Sequence, residues 1–270
     1  MKKHLISYLF WRRFIQICVL VFLVVVPVLN IYRIHVFHGN LLAFNLAGVP
    51  FADPLAALQV FVAGSGHSQT MLLGAGLVLL LALVMGTVFC SWICPFGLLS
   101  ELAHKKGGVT QSRIFPFWIK TGFLVLGLVV GLLFSLGPIL NQFSMPGWIS
   151  RALQHALLYR EFLFGVFLAA AVLAVELLMR RRFWCRYVCP QSVLLSLFSV
   201  ILPQTLQVRY SRKKCICKAS DRPCMAACSL NLNPRKPVLS QRVECTNCGD
   251  CVDACRERGR ALSLGLGRGK

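Results

Sequence analysis

The sequence predicts an integral membrane protein with an all-α part of four transmembrane helices, followed by a small cysteine-rich domain of the α+β class. Three observations support this prediction. The 270 residues are 57% hydrophobic, with a mean hydropathy of +0.68, which exceeds the usage of soluble domains. Four apolar runs are each long enough to cross about 30 Å of hydrocarbon at about 20 residues per span. After Pro203 the sequence becomes polar and contains eight cysteines.

The four apolar runs set the predicted domain limits. We place the transmembrane helices at about 14–31, 70–89, 119–140 and 162–179, and we expect each to be helical because an isolated strand cannot satisfy its backbone in lipid. Residues 1–203 therefore form the predicted membrane domain and residues 204–270 the second domain. In the loop after the first span, Asp53-Pro54 has the residues that begin a short helix.

The basic residues are distributed unevenly around these runs. The chain has 29 Lys and Arg against 9 Asp and Glu, a formal net charge of +20. All but Arg33, Arg151 and Arg160 lie in the N-terminal segment, in the loop after the second span, at the start of the third span or in the tail. Positive residues next to spans mark the cytoplasmic side, so both termini are expected in the cytoplasm of a bacterium, with the chain in its inner membrane. This placement explains the charge better than a nucleic-acid partner would.

The membrane part contains an internal repeat. The segment 88–95, VFCSWICP, aligns with 183–190, FWCRYVCP, and each follows the second helix of a hairpin. The predicted domain is therefore two related helical hairpins, each followed by a short apolar stretch that suits an interfacial helix. Both copies contain the motif C-x3-C-P.

The repeated motif supplies four candidate metal ligands: Cys90, Cys94, Cys185 and Cys189. Cysteines four residues apart lie on one helical face, and the following proline ends or kinks the helix. Two such pairs from related hairpins could converge at the cytoplasmic membrane surface. The sequence leaves open whether they would hold a cluster, a single metal or a redox disulfide, or pack as small buried residues. The thirteenth cysteine, Cys18, is expected to be a packing residue.

The tail contains two further groups of four cysteines. Residues 245–255 follow the pattern C-x2-C-x2-C-x3-C, which binds a [4Fe–4S] cluster and whose fourth cysteine ligates the other cluster in two-cluster ferredoxins. We therefore expect crossed ligation, in which Cys228 joins the first three cysteines of this run and Cys255 joins the upstream group. The two sets are Cys245, Cys248, Cys251 and Cys228, and Cys215, Cys217, Cys224 and Cys255. A zinc site is the competing interpretation, and six disulfides are disfavoured in the cytoplasm.

With these motifs the chain resembles the NapH-type membrane subunits of quinol dehydrogenases, a group of membrane polyferredoxins with relatives in methylamine utilisation, nitrous oxide respiration and oxidase maturation. The resemblance covers the basic N-terminus, the four spans, both C-x3-C-P motifs, the tail, and residues 48–59 of the outer loop. It implies a bacterial-type two-cluster ferredoxin-like tail domain. It also implies quinol from the membrane pool as substrate, and electron delivery through ferredoxin-type or c-type cytochrome partners toward a periplasmic reductase.

The sequence offers few candidates for a group that accepts quinol protons. Histidine titrates near neutral pH, and His35, His38, His67 and His155 fall on the predicted outer side. Glu176 lies inside the fourth predicted span, where an ionisable residue either serves a function or pairs with a neighbour such as Arg180. An alternative to quinol oxidation is a maturation or regulatory protein that reduces a metal such as copper. A membrane scaffold with zinc-binding cysteines is a third possibility.

Overall fold

The structure is a computed structural model in which α-helices predominate, with two small antiparallel sheets. It describes residues 7–32, 37–40, 43–46, 48–64, 68–103, 116–134, 139–158, 164–179, 182–201, 205–217, 222–235, 239–256 and 258–267. The helices of the N-terminal part precede a compact tail that begins with a strand at Leu206.

Four apolar helices overlap the four predicted spans. They are α1 (Tyr8–Ile31), α3 (Gln69–Met85), α6 (Pro116–Leu133) and α9 (Phe164–Met179). Within the described ranges, one helix, over Tyr8–Leu29, is long and apolar enough to cross a membrane, and the apolar stretches of the other three are shorter. The helical state of these segments is therefore as expected, and the four-span arrangement stays a prediction.

The segment between α1 and α3 contains a small sheet that the prediction of an all-α part missed. Strands β1 (Phe37–Asn40), β2 (Ala43–Leu46) and β3 (Val49–Ala52) pair antiparallel in that order. Each strand has four residues, which is too short for an alternating pattern to be recognised in the sequence. Helix α2 (Pro54–Val62) then begins where Asp53-Pro54 predicted, because the Asp53 carboxylate caps it by accepting a 3.0 Å hydrogen bond from the Leu55 amide.

Both connecting segments turn back into the helical bundle. Helix α2 buries Leu55 against Leu124 of α6 and against Val193 and Leu194 of α10 (Pro190–Ile201). The second connection, between α6 and α9, contains α7 (Ile139–Gln142) and α8 (Met145–Leu158). Met145 at the start of α8 is buried against Cys94 and Phe96. Each connection therefore reaches one of the C-x3-C-P motifs.

Each repeated motif is followed by a helix that begins at the proline of the motif. Helix α4 (Phe89–Trp92) contains Cys90, and α5 (Pro95–Ala103) begins at the proline of the first motif. In the second copy a π-helical turn, Trp184–Val188, precedes α10. Helix α10 packs between α3 and α6, where it buries Val193, Leu194, Leu195 and Ser196.

The tail has the expected α+β composition. Strands β4 (Leu206–Tyr210) and β5 (Leu262–Leu266) pair antiparallel and enclose α11 (Pro223–Ala226), α12 (Leu239–Glu244) and α13 (Asp250–Cys255) in sequence. Its core contains three cysteines together with apolar side chains: Cys224, Cys251, Val252, Cys255, Ala261 and Leu262. The tail also contacts the start of α1, where the Ser7 hydroxyl donates a 2.6 Å hydrogen bond to Asp253.

Candidate functional site: two joined groups of cysteines

The two C-x3-C-P motifs form the same wide turn. The Cys94 amide donates to the Phe89 carbonyl, and the Cys189 amide donates to the Trp184 carbonyl, both at 2.9 Å and both across five residues. A proline follows each second cysteine and cannot continue the hydrogen-bond ladder, which favours a widened last turn. The repeat in the sequence is therefore also a repeat in backbone geometry.

The four cysteines of these motifs line one cavity. Cys90, Cys94, Cys185 and Cys189 surround it together with Met145, Lys120, Arg182 and Arg186. Burial raises the pKa of Cys90, Cys185 and Cys189 to about 12, and it also raises the pKa of Cys94. At neutral pH these side chains are thiols unless a metal replaces their protons. This group, the motif cysteines, is thus suited to a metal centre and unsuited to acting as reactive thiolates.

A buried arginine connects the motif cysteines to the tail. Arg182 is 5% exposed and interacts electrostatically with Cys185, Cys228 and Cys248. Its guanidinium donates to Ser229 and Ser100 at 3.3 Å each and to the Gly97 carbonyl at 3.4 Å. Ser229 directly follows the tail ligand candidate Cys228. One cation therefore lies between the two groups of cysteines.

Contacts other than an ion pair with Arg180 account for the buried position of the Glu176 carboxylate. Its carboxylate accepts hydrogen bonds from the Ser100 hydroxyl and, at 2.9 Å, from the Trp184 amide. These contacts attach the end of α9 to α5 and to the second motif. Arg180 lies outside the described residues, so the proposed pair with it is not described either.

The run 245–255 curls before α13 begins. Asn247 and Gly249 have φ values of 51° and 85°, in the left-handed region. A Cβ on Gly249 would lie 2.7 Å from the Tyr8 Cβ, so glycine suits this position for its conformation and for its contact with α1. This curl places Cys245 and Cys248 on the loop, and Cys251 and Cys255 on the helix.

The tail cysteines of the first predicted set interact with one another, and those of the second set are linked in part. Electrostatic interactions join Cys228 to Cys245, Cys248 and Cys251. In the other set, Cys217 interacts with Cys215 and Cys255, while Cys224 and Cys255 share the tail core. Cys224 also interacts with Cys251, so the two sets are adjacent. The Tyr210 hydroxyl hydrogen-bonds Cys215 and lowers its pKa.

The first motif is hydrogen-bonded to the backbone of the tail run. Thr87 donates to the Cys245 carbonyl, Ser91 donates to the Thr246 carbonyl at 2.6 Å, and Trp92 donates to the Asn247 carbonyl at 3.2 Å. We call these three contacts the joint. Sequence reasoning missed it, although polar Thr87 and Ser91 within an apolar segment were a signal. The second motif contributes an ion pair, Arg186 with Glu244, at 3.0 Å.

The donor set fits iron–sulfur clusters. Among the described residues, no three His, Cys, Asp or Glu side chains lie close enough to share one metal ion. The cysteine ligands of a cubane cluster stand further apart than that, since each binds a different iron. The cysteines of each predicted group are buried or partly buried, and Arg12 and Arg182 lie near Cys248, which gives the composition that such clusters require.

Two of the four histidines have no described position. His35 and His67 lie outside the described residues, and for His38 the backbone alone is described, in β1. His155 lies on α8, near its C-terminal end. The structure brings together the cysteines of each predicted group, and His155 is not among the residues that line the cavity of the motif cysteines.

Comparison with known proteins supports the same class. The family model described as "4Fe-4S binding domain" matches twice, at residues 68–114 and 162–209. Each match contains one C-x3-C-P motif, so the internal repeat is confirmed. The fold, the cysteine sets and this match define an iron–sulfur electron-transfer protein.

Curated relatives align along most of the chain. It is 30% identical over 259 residues to the methylamine utilization ferredoxin-type protein MauN of Methylorubrum extorquens, covering 91% of this chain and 74% of the relative. It is 27% identical to the ferredoxin-type protein NapH of Haemophilus influenzae, covering 93% and 88%, and 29% identical to NapH of Escherichia coli, covering 91% and 85%. The chain therefore belongs to the family of NapH- and MauN-type ferredoxin proteins. No solved structure matches it significantly.

Proposed function

We propose that this protein is a membrane subunit that takes electrons from quinol and passes them through iron–sulfur clusters toward a periplasmic reductase of the nitrate reductase type, by way of ferredoxin-type or c-type cytochrome partners. The joint is the observation on which this proposal depends. It attaches a motif at the end of an apolar helix to the cluster-binding run of the tail, with both on one hydrogen-bonded unit. Such a unit suits electron transfer between the lipid phase and the tail.

The proposed topology has four spans with both termini and the tail in the cytoplasm of a bacterial inner-membrane protein. The distribution of Lys and Arg supports this orientation. The outer surfaces of the apolar helices support their placement in the membrane, because large apolar side chains on them are exposed in a way that lipid, and not water, would favour. Examples are Val21, Leu73, Leu126 and Phe167, each more than half exposed. The proposed domains are residues 1–203 and 204–270.

In the tail we assign one [4Fe–4S] cluster to Cys245, Cys248, Cys251 and Cys228, and the other to Cys215, Cys217, Cys224 and Cys255. When bound, such clusters supply one-electron redox chemistry at potentials set by nearby charge and hydrogen bonds. The Leu232 amide donates to the Cys228 sulfur at 3.4 Å, which stabilises a thiolate there. The pairwise interactions of the sulfurs support this assignment.

The chain's own residues neutralise and fix this site. Arg12 is fully buried and forms ion pairs with Glu101 and with Asp250, at 3.0 Å for the latter. It also donates to the Cys248 carbonyl at 3.1 Å. The N-terminal turn of α1 is thereby attached to α5 and to the run 245–255. Because two carboxylates balance the charge of Arg12, its contribution at this point is to fix the run 245–255 against the helices.

Quinol oxidation releases two protons and two electrons, so a proton acceptor must lie near the bound ring. The described residues leave the identity of this group open between His155, Glu176 and Asp53, which is buried. Asp53 caps α2 beside Gln191, two residues after Cys189, so the first connecting segment brings a carboxylate toward the motif cysteines. Quinol is proposed to enter from the lipid between these helices.

The test is an anaerobic redox titration of the purified full-length protein in detergent. We expect a short-chain quinol analogue to bleach the cluster absorption and to generate a paramagnetic signal from reduced clusters. If quinol leaves the clusters oxidised while dithionite reduces them, the proposed donor is wrong. Rapid reduction of cupric ion with quinol inert would favour the maturation alternative, which is consistent with Met145 beside the motif cysteines because soft sulfur ligands prefer Cu(I).

A further inference from the structure

The motif cysteines surround one shared cavity. Every one of the six pairs among Cys90, Cys94, Cys185 and Cys189 interacts electrostatically. All four line the same cavity, whose empty space, including the part open to solvent, is about 730 Å³. The cavity also touches the tail at Leu230, Val243, Glu244 and Thr246. It therefore lies between the helices and the cluster-binding run.

This arrangement distinguishes between the possible occupants. A zinc ion with four thiolates requires Zn–S distances of about 2.3 Å, which holds the sulfurs about 4 Å apart. Among the described residues, no group of three His, Cys, Asp or Glu side chains is placed to hold one metal ion. A cubane cluster places one cysteine at each of four separate irons, so its ligands encircle a larger volume. Four cysteines around a shared cavity match the second geometry.

The charge around the cavity is suited to the same occupant. A [4Fe–4S] core of charge +2 with four thiolates has a net charge of −2. Lys120 and Arg182 both line the cavity, while the charge of Arg186 is balanced by Glu244 at 3.0 Å. With three cations and one carboxylate, the cavity lining has a formal charge of +2, opposite in sign to a centre of charge −2, which lowers the cost of holding that centre away from water. Arg182 also interacts with Glu101 and Glu176, which lie outside the lining.

We propose that Cys90, Cys94, Cys185 and Cys189 bind a third iron–sulfur cluster of the cubane type, between the apolar helices and the tail clusters. On binding, four S–H bonds break, four protons leave to solvent and four Fe–S bonds form. The proposal deepens the proposed function, because the third cluster would lie between quinol and the tail. The binding itself does not require quinol as the donor, so the two can fail separately.

The experiment counts iron and acid-labile sulfide in full-length protein purified anaerobically. We expect about 12 of each per chain, against about 8 for the two tail clusters alone. The double variant Cys90→Ala/Cys185→Ala should fall to about 8, whereas Cys18→Ala, a matched control at the remaining cysteine, should keep about 12. Equal counts of about 8 in all three proteins would overturn the proposal. So would one zinc per chain that is lost from the double variant.

A second measurement on the wild-type protein covers the case in which the double variant does not accumulate. Full reduction with a low-potential reductant should give about three integrated electron spins per chain, and two spins would contradict a third cluster. The number of irons per chain, together with the response to quinol, also distinguishes the failure of this proposal from the failure of the proposed function. Twelve irons with quinol inert would reject the quinol donor alone, and eight irons with quinol-driven reduction would reject the third cluster alone.

Discussion

The two C-x3-C-P motifs share a backbone turn but differ in what surrounds it. In the first motif, Gly97 follows the Cys94-Pro95 pair at the position that Ser192 occupies in the second. A Cβ on Gly97 would lie 2.3 Å from the Cys90 carbonyl oxygen, whereas the Ser192 hydroxyl donates to the Cys189 carbonyl at 2.9 Å. The same turn is therefore packed more tightly in one copy than in the other.

The polar residues around the two motifs have also diverged. The first copy supplies neutral donors to the tail, namely Thr87, Ser91 and Trp92. The second supplies charge, through Arg182 and Arg186. The duplicated turn thus places the cysteines symmetrically. The first copy contacts the tail through neutral hydrogen-bond donors, and the second copy contacts it through charged side chains. Substitutions at matched positions can separate these roles.

The largest effect is expected from Gly97→Ala. The added methyl group would meet the Cys90 carbonyl at 2.3 Å, and a backbone atom in a hydrogen-bonded turn cannot move aside easily. We expect a loss of about 3 kcal/mol in stability and a large fall in folded yield. Thermal unfolding of the detergent-solubilised protein, followed by cluster absorption, measures this change.

Gly122→Ala is the matched control for this substitution. Gly122 lies in α6, and a Cβ there has no neighbour within 4 Å. Because alanine also has the higher helix propensity, this variant should be as stable as the wild type or slightly more stable. A Gly97→Ala protein with the melting temperature of Gly122→Ala would show that the two motifs are not packed differently.

The next effect concerns the ion pair of the second motif. Glu244 is almost fully buried in its pair with Arg186, so Glu244→Gln leaves a guanidinium partly buried without its counter-charge. We expect a loss of about 2 kcal/mol, reduced from the value for a fully buried pair because Arg186 is 18% exposed. A double-mutant cycle with Arg186→Gln measures the coupling. Strictly additive losses would mean that this pair does not attach the second motif to the tail.

Arg182 should affect redox potential in addition to stability. In Arg182→Gln the positive charge next to Cys185, Cys228 and Cys248 is lost, which favours the oxidised form of any cluster bound there. We expect midpoint potentials roughly 40–90 mV lower, and Arg182→Lys should recover most of this because it keeps the charge. The measurement is a potentiometric titration followed by paramagnetic resonance. Unchanged potentials in the glutamine variant, with intact clusters, would exclude this role.

Local features of the sequence predicted much of the structure. The positions of the apolar helices, the start of α2 at Asp53-Pro54 and the duplicated turn all depend on nearby residues, and the structure has each of them. The pairing of Cys228 with the run 245–255 follows from a known spacing rule and stays a prediction, in which Cys228 interacts electrostatically with Cys245 and Cys248.

The remaining features depend on contacts between distant segments. The joint links residues more than 150 positions apart, and Arg182 contacts Ser229, which lies 47 residues further along the chain. No local pattern distinguishes such a side chain from an interfacial cation. The return of Met145 to the first motif was missed for the same reason, since α8 reads as an ordinary amphipathic helix.

The smallest effect is expected from Ser192→Ala. It removes a hydroxyl that donates to the Cys189 carbonyl at 2.9 Å, and it leaves the Cβ that the second turn already accommodates. The same hydroxyl makes two longer contacts of 3.4 Å, with the Cys185 carbonyl and with the Lys120 ammonium. We expect a loss of about 0.5–1 kcal/mol, the net value of one hydrogen bond, with the cluster content unchanged. Thermal unfolding beside Gly97→Ala provides the comparison. If Ser192→Ala were as damaging as Gly97→Ala, the hydroxyl and not the packing of the turn would distinguish the copies, and the argument from Gly97 would fail.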